Sequence, residues 1–242
     1  VIGSNIANIG LVLGATVLIK PIKFSFKKIR QDLWFMLGIT ILTIFFIYQG
    51  NLGILQGVIF LLLLTGYIYH LTLQNHVGEE MEDINKTIPP LRTVMKILLG
   101  IVGLGAGAHF FVLGAKGIAI ALGVSTLVIG MSIVALGTSL PELAASMSAA
   151  KHGESDFVIG NVLGSNIINI VVVLGIAILM QPLQQSISAV ATQCIFFIGL
   201  TLLLFILLKI NNGISKPAGI LFLIIYFAFL ILNFQMAMTF ND

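Results

Sequence analysis

The sequence predicts an all-α integral membrane protein, an inverted-repeat bundle of about eight hydrophobic helices. Three observations predict it. Of the 242 residues, 58% are hydrophobic and only 9% charged, and mean hydropathy is +1.12. Ordinary soluble domains carry roughly a quarter charged residues, so most of this surface faces lipid. The apolar stretches approach about 20 residues, the length of a helix that crosses hydrocarbon; a barrel would show ten-residue alternation. In lipid a helix satisfies its own backbone polar groups. Finally, a polar motif near the start of the chain recurs later.

The spans read as 1–20, 33–49, 53–74, 92–122, 125–149, 157–179, 187–209 and 215–236. The first opens at Val1, already inside apolar sequence, with no initiator Met and no cleavable signal peptide visible. The expectation is that further sequence precedes it. The second and third spans follow after short connections. Residues 75–91 hold Glu79, Glu80, Glu82, Asp83, Lys86, Pro89 and Pro90 and read as a cytoplasmic surface linker. The remaining five spans are again separated by short polar turns. His109 and Lys116, within span four, read as satisfied or snorkelling side chains. Cys194 is the single cysteine, which excludes an internal disulfide framework and a Cys-based metal site.

Lysine and arginine set orientation. Counted through alternating spans, one side of the membrane receives Lys20, Lys23, Lys27, Lys28, Arg30, Lys86, Arg92, Lys96, Lys151, Lys209 and Lys216. Of the 12 basic residues only Lys116 falls towards the other side. The basic side is expected to be cytoplasmic. The net charge of +3 then reflects topology, not binding to nucleic acid.

Val1-Ile2-Gly3-Ser4-Asn5-Ile6-Ala7-Asn8-Ile9 recurs as Val162-Leu163-Gly164-Ser165-Asn166-Ile167-Ile168-Asn169-Ile170. At the same offset Gly14 pairs with Gly175, Pro21 with Pro182, Gly38 with Gly199 and Thr40 with Thr201; one residue further on, Gly57 pairs with Gly219. The first three spans therefore match the last three. An odd number of crossings separates the copies, so they run in opposite senses, an arrangement found in transporters. The chain reads as one transmembrane domain, 1–242: residues 1–74 are the remainder of the first copy and 92–242 the second.

Among the acids only Glu142 lies deep in an apolar span. An ionised carboxylate there costs several kcal/mol unless compensated. The alternative is a protonated Glu hydrogen-bonded within the bundle. Its neighbours are Gly137-Thr138-Ser139-Leu140-Pro141. Pro141 removes a backbone donor and frees the Gly137 carbonyl, so a broken helix is expected. Carbonyls, two hydroxyls and a carboxylate would converge there, a donor set for hard cations such as Na+ and Ca2+. Asn161, Ser165 and Asn169 share one helix face at i, i+4 spacing, as do Ser4 and Asn8. The alternative for these is interhelical hydrogen bonding. Asn5 and Asn166 fit either role, and Gly160 and Gly164 read as close-packing positions. No span pairs Ser with His or Lys, or two Asp, at catalytic spacing, which argues against an enzyme.

Gly137-Thr138-Ser139-Leu140-Pro141-Glu142 followed by Gly160-Asn161-Val162-Leu163-Gly164-Ser165-Asn166-Ile167-Ile168-Asn169 resembles the second signature repeat of the sodium/calcium exchanger family. Val1 to Gly14 resembles the latter part of the first repeat. The resemblance covers essentially the whole chain and is closest to small prokaryotic members. It implies an inverted-repeat transporter bundle of about ten helices in a prokaryotic inner membrane, exchanging Na+ for Ca2+ with no cofactor. The resemblance implies that Glu142 is a carboxylate shared by both ions. Thr138 and the carbonyl of Ala135 would join the coordination, and Ser139 and Ser165 would line Na+ sites. Ser4 would match the symmetry-related Na+ site, with Asn8 and Asn169 in the middle. Potassium-dependent members carry Asp where this chain has Asn169, which argues against K+ dependence. Proton coupling is the runner-up and a cation channel a further alternative; oligomeric state is left open.

Overall fold

The protein is described by a computed structural model covering residues 1–50, 52–73, 91–183, 187–211 and 213–239. Among these, eight helices are long and apolar enough to cross a membrane. They are α1 (Ile2–Ile19), α2 (Phe26–Tyr48), α3 (Ile54–Leu73), α4 (Leu91–Ala121), α5 (Gly130–His152), α6 (Ser155–Met180), α7 (Ile187–Asn211) and α8 (Lys216–Thr239). The helical turn Thr126–Ile129 leads directly into α5. Except for Leu91, where α4 begins, the expected linker 75–91 lies outside the described residues.

The largest departure from the expected spans is at α2, which starts at Phe26 rather than residue 33. Lys27, Lys28, Arg30 and Asp32 belong to its first turns, not to a loop. Long charged side chains at a helix end can reach water while the backbone stays helical. Lys28 reaches Asp156 at 2.8 Å, in the first turn of α6, where a carboxylate also meets the positive helix end. Asp32 accepts a hydrogen bond from Tyr67 of α3 at 2.6 Å.

The core forms around α1 and α6. Of the eight spans they are the most enclosed, 67% and 50% buried, whereas α4 is 0% buried. Ile9, Val12 and Leu13 of α1 and Val162, Leu163 and Ile170 of α6 pack with Phe60, Leu204, Phe222 and Phe229 from the flanking helices. Close crossings at glycines tie one repeat copy to the other. Gly14 of α1 meets Gly219 of α8, and Gly175 of α6 meets Gly57 of α3. These contacts are equivalents under the repeat. At Gly57 and Gly219 a Cβ would stand 2.9 Å from the carbonyl oxygen opposite, so hydrogen is the side chain that permits the approach.

The same exchange occurs in the connections. Between α1 and α2 the strand β1 (Ile22–Lys23) pairs antiparallel with β2 (Gly213–Ile214), between α7 and α8. Between α2 and α3, Leu52 bridges Leu183, which follows α6. Ile22 and Leu183 occupy equivalent repeat positions, as do Ile214 and Leu52. Following the spans through, β1–β2 lies on the basic side of the bundle and Leu52–Leu183 on the opposite side.

Candidate functional site

A two-residue turn positions the site. Gly153 takes the left-handed conformation at φ 88° and caps α5, a conformation that favours glycine. The N–H of Glu154 closes the cap on the Ala149 carbonyl at 3.0 Å. The chain reverses at once, and α5 and α6 form an antiparallel hairpin. Residues equidistant from the turn then lie level: Ser146 with Asn161, Glu142 with Ser165, Thr138 with Asn169. The Asn161 amide bonds Ser146 Oγ at 2.9 Å and the Glu142 main-chain oxygen at 3.3 Å, the register this requires.

Pro141 does not break its helix: Ala135–His152 is continuous through it. The expected break is corrected by what flanks the proline. Asn161 holds the backbone at Glu142, and Val112 of α4 packs directly on Gly137. Neighbouring helices that grip both sides of a proline keep the segment helical. Gly137 therefore makes room for α4. The irregular backbone is a set of wide π-helical turns: Gly130–Val134 in α5, Asn8–Leu13 in α1 and Asn169–Leu174 in α6. The last two are equivalent under the repeat. Such turns mark functional positions in helices.

Glu142, Gly160, Asn161, Gly164, Ser165, Ile168 and Asn169 line a cavity of about 340 Å3. Gly160 and Gly164 were expected in close packing. Neither has an atom near its Cβ direction among the described residues, and both face the cavity instead. Gly3, the equivalent of Gly164, is the tightly packed one, against Met131 and Ala135 of α5. Oε2 of Glu142 is buried without a hydrogen-bond partner among the described residues, and so is Oδ1 of Asn8. A buried acceptor left unsatisfied costs about 1–3 kcal/mol, more if charged. Of the two, Glu142 lines the cavity, and its orphaned oxygen beside the neutral side chains of Asn161, Ser165 and Asn169 is suited to receiving a cation.

The other residues singled out in the sequence form an adjoining group. Ser4 of α1 meets Thr138 of α5 at 3.0 Å, Thr138 donates to the Ala135 carbonyl at 3.0 Å, and Ser139 donates to the Ser4 carbonyl at 3.4 Å. These four do not line the cavity with Glu142. Asn8 links the groups by donating to Ser165 Oγ at 3.0 Å. Asn5 and Asn166, left open by the sequence, are both 0% exposed. Asn5 accepts from the Asn169 amide at 3.0 Å and donates to the Asn166 carbonyl at 3.3 Å. Ser146, fully buried and bonded to Asn161, had no motif to mark it. Among the described residues no three of His, Cys, Asp or Glu converge. Here the charge comes from Glu142 and the remaining donors are neutral oxygens.

The family model for sodium/calcium exchanger protein matches residues 1–73 and 93–235. The uncharacterized membrane protein MJ0091 of Methanocaldococcus jannaschii is 37% identical, over 93% of this chain and 72% of its own length. The sodium/calcium exchanger MaX1 of Methanosarcina acetivorans is 29% identical, over 97% of this chain and 79% of its own. Among solved structures, the sodium-calcium exchanger NCX_Mj soaked with 10 mM Na+ and 10 mM Sr2+ aligns with TM-score 0.73 at 36% identity. That alignment covers 94% of this chain and 73% of the other.

Proposed function

This chain belongs to the sodium/calcium exchanger protein family, and on that premise we propose that it exchanges Na+ for Ca2+ across a membrane by alternating access, with Glu142 as the carboxylate both ions share. Residues 1–74 and 92–242 act as the two inverted copies. The carrying observation is the buried, unpartnered Glu142 oxygen beside a cavity walled by Ser165 and Asn169. Hard cations take oxygen ligands, and this wall supplies one charged and several neutral ones.

The residue roles follow from position. Glu142 provides the charge, and Ser165, Asn169 and Asn8 provide neutral oxygens around it. Ser4, Thr138, Ser139 and the Ala135 carbonyl form the second, hydroxyl-rich group against α1, suited to Na+. Ca2+ and Na+ are cargo, and no resident cofactor or enzymatic step enters the scheme. Exchange follows from electrostatics. With no ion bound, an unpaired carboxylate within apolar helices opposes reorientation. Either ion neutralises it and permits the switch, so the empty carrier leaks poorly.

The test is uptake of radiolabelled Ca2+ into proteoliposomes under an outward Na+ gradient. The wild-type protein takes up Ca2+ and Glu142→Gln does not. Uptake surviving in Glu142→Gln, or Ca2+ flux indifferent to the Na+ gradient, removes this reading. Driving uptake with H+ and K+ gradients in parallel discriminates the other couplings.

A further inference from the structure

We propose that Asn5 and Asn166 are positioning residues, each orienting the ion-facing amide of an asparagine in the opposite repeat copy: Asn5 that of Asn169, and Asn166 that of Asn8. The inference deepens the reading of the site given above and rests on it.

An asparagine side chain is two-faced. Its Oδ1 can bind a cation, whereas its NH2 group only donates. The terminal torsion is broad and roughly two-fold, so an unrestrained amide presents either face. Tying Nδ2 to an acceptor on one side commits Oδ1 to the other. Asn169 Nδ2 donates to Asn5 Oδ1 at 3.0 Å. Asn8 Nδ2 donates to Asn166 Oδ1 at 3.5 Å. Under the repeat Asn5 is the equivalent of Asn166, and Asn8 of Asn169. The two bonds are therefore one interaction made twice, and both times it crosses from one copy to the other. Asn8 Oδ1 is left buried and unpartnered, as expected of an acceptor held for a ligand.

The two grips are unequal. Asn5 also donates to the Asn166 main-chain carbonyl at 3.3 Å, while Asn166 Nδ2 is buried without a hydrogen-bond partner among the described residues. Asn8 has a second hold in Ser165 Oγ. Asn5 is accordingly the stronger positioning residue, and its loss is felt at Asn169 on the cavity wall.

The experiment measures Na+-driven uptake of radiolabelled Ca2+ in proteoliposomes, separating half-saturation from maximal rate. Removing a partner that orients a metal ligand typically costs 10–100-fold in affinity. Asn5→Ala is expected to raise half-saturating Ca2+ about tenfold, with little change in maximal rate, and Asn166→Ala to raise it less. The pattern in double variants is crossed. Asn5→Ala adds nothing when Asn169 is already Ala but multiplies the effect of Asn8→Ala, and Asn166→Ala behaves conversely. Gln193→Ala is the control. It loses a buried interhelical amide bond to Asn233 far from these residues in sequence, and should lower thermal stability without moving half-saturation. Asn5→Asp keeps an acceptor for the Asn169 amide while giving up the donor to the Asn166 carbonyl, and carries the test if the alanine variant does not fold: half-saturation at or below wild type supports the proposal, a tenfold rise overturns it. Couplings that are uncrossed, or a Gln193→Ala shift as large as that of Asn5→Ala, also overturn it. Uptake by the wild-type protein in the same assay keeps this failure distinct from failure of the exchange reading itself.

Discussion

At the residue scale, the chemistry concentrates on one carboxylate. On the proposed reading protons and cations compete for the same Glu142 oxygens, so acid should weaken Ca2+ binding, an effect that saturating Ca2+ reverses. Measured as uptake against Ca2+ concentration at neutral and acid pH, half-saturation should rise in acid while saturating Ca2+ restores the rate. A fall in maximal rate alone would place the proton elsewhere. Asn169→Asp gives up the amide bond to Asn5 Oδ1 but adds a second negative oxygen beside the cavity; ligand charge tunes Ca2+ affinity over decades, so half-saturating Ca2+ should still fall. Much of this layer was legible in the sequence. Glu142, Ser165 and Asn169 stand out because polar residues in apolar spans need a reason. Asn5 and Asn166 were not decidable, since a sequence does not say which face an amide turns or what it meets. Ser146 was invisible: one serine in a helix carries no signal until Asn161 is seen bonded to it.

At the element scale, apolar length located all eight spans, and their ends were the weaker part. The helix α2 begins in a cluster of basic residues that reads as loop, because composition does not show where helical backbone leaves the hydrocarbon. Pro141 suggested a break, yet contacts from α4 and α6 hold the helix through it. The π-helical turns have no composition signature of their own. Glycines divide by what they touch. Gly57→Ala and Gly219→Ala each push a methyl towards a facing carbonyl and should destabilise by about 1–3 kcal/mol. Thermal unfolding in detergent reads this as a lower midpoint in both. Gly199→Ala meets nothing among the described residues and should hold or raise it, since alanine favours helix by about 1 kcal/mol.

At the scale of the whole molecule, the inverted repeat was readable because Gly-Ser-Asn-x-x-Asn occurs twice. What the repeat builds was not readable, since a sequence does not say that α1 packs on α8 and α6 on α3. The crossed contacts weld the copies into a common frame. Cysteine pairs replacing Ile22 and Ile214 on one face, and Leu52 and Leu183 on the other, should form disulfides at these backbone pairings. Oxidation should leave Na+-driven Ca2+ uptake intact, the outcome expected of a frame whose paired segments stay together on both faces. Inhibition by either disulfide, relieved by reductant, would show that the frame itself flexes.

Those two pairings also order biogenesis. Leu183 follows α6, so the Leu52–Leu183 bridge can form before α7 and α8 are made. The β1–β2 pair must wait until Gly213 and Ile214 emerge behind α7. A nascent chain can thus be fastened on one face of the bilayer before the other. Its Ile22–Lys23 segment is without that partner until residues 213 and 214 have been made.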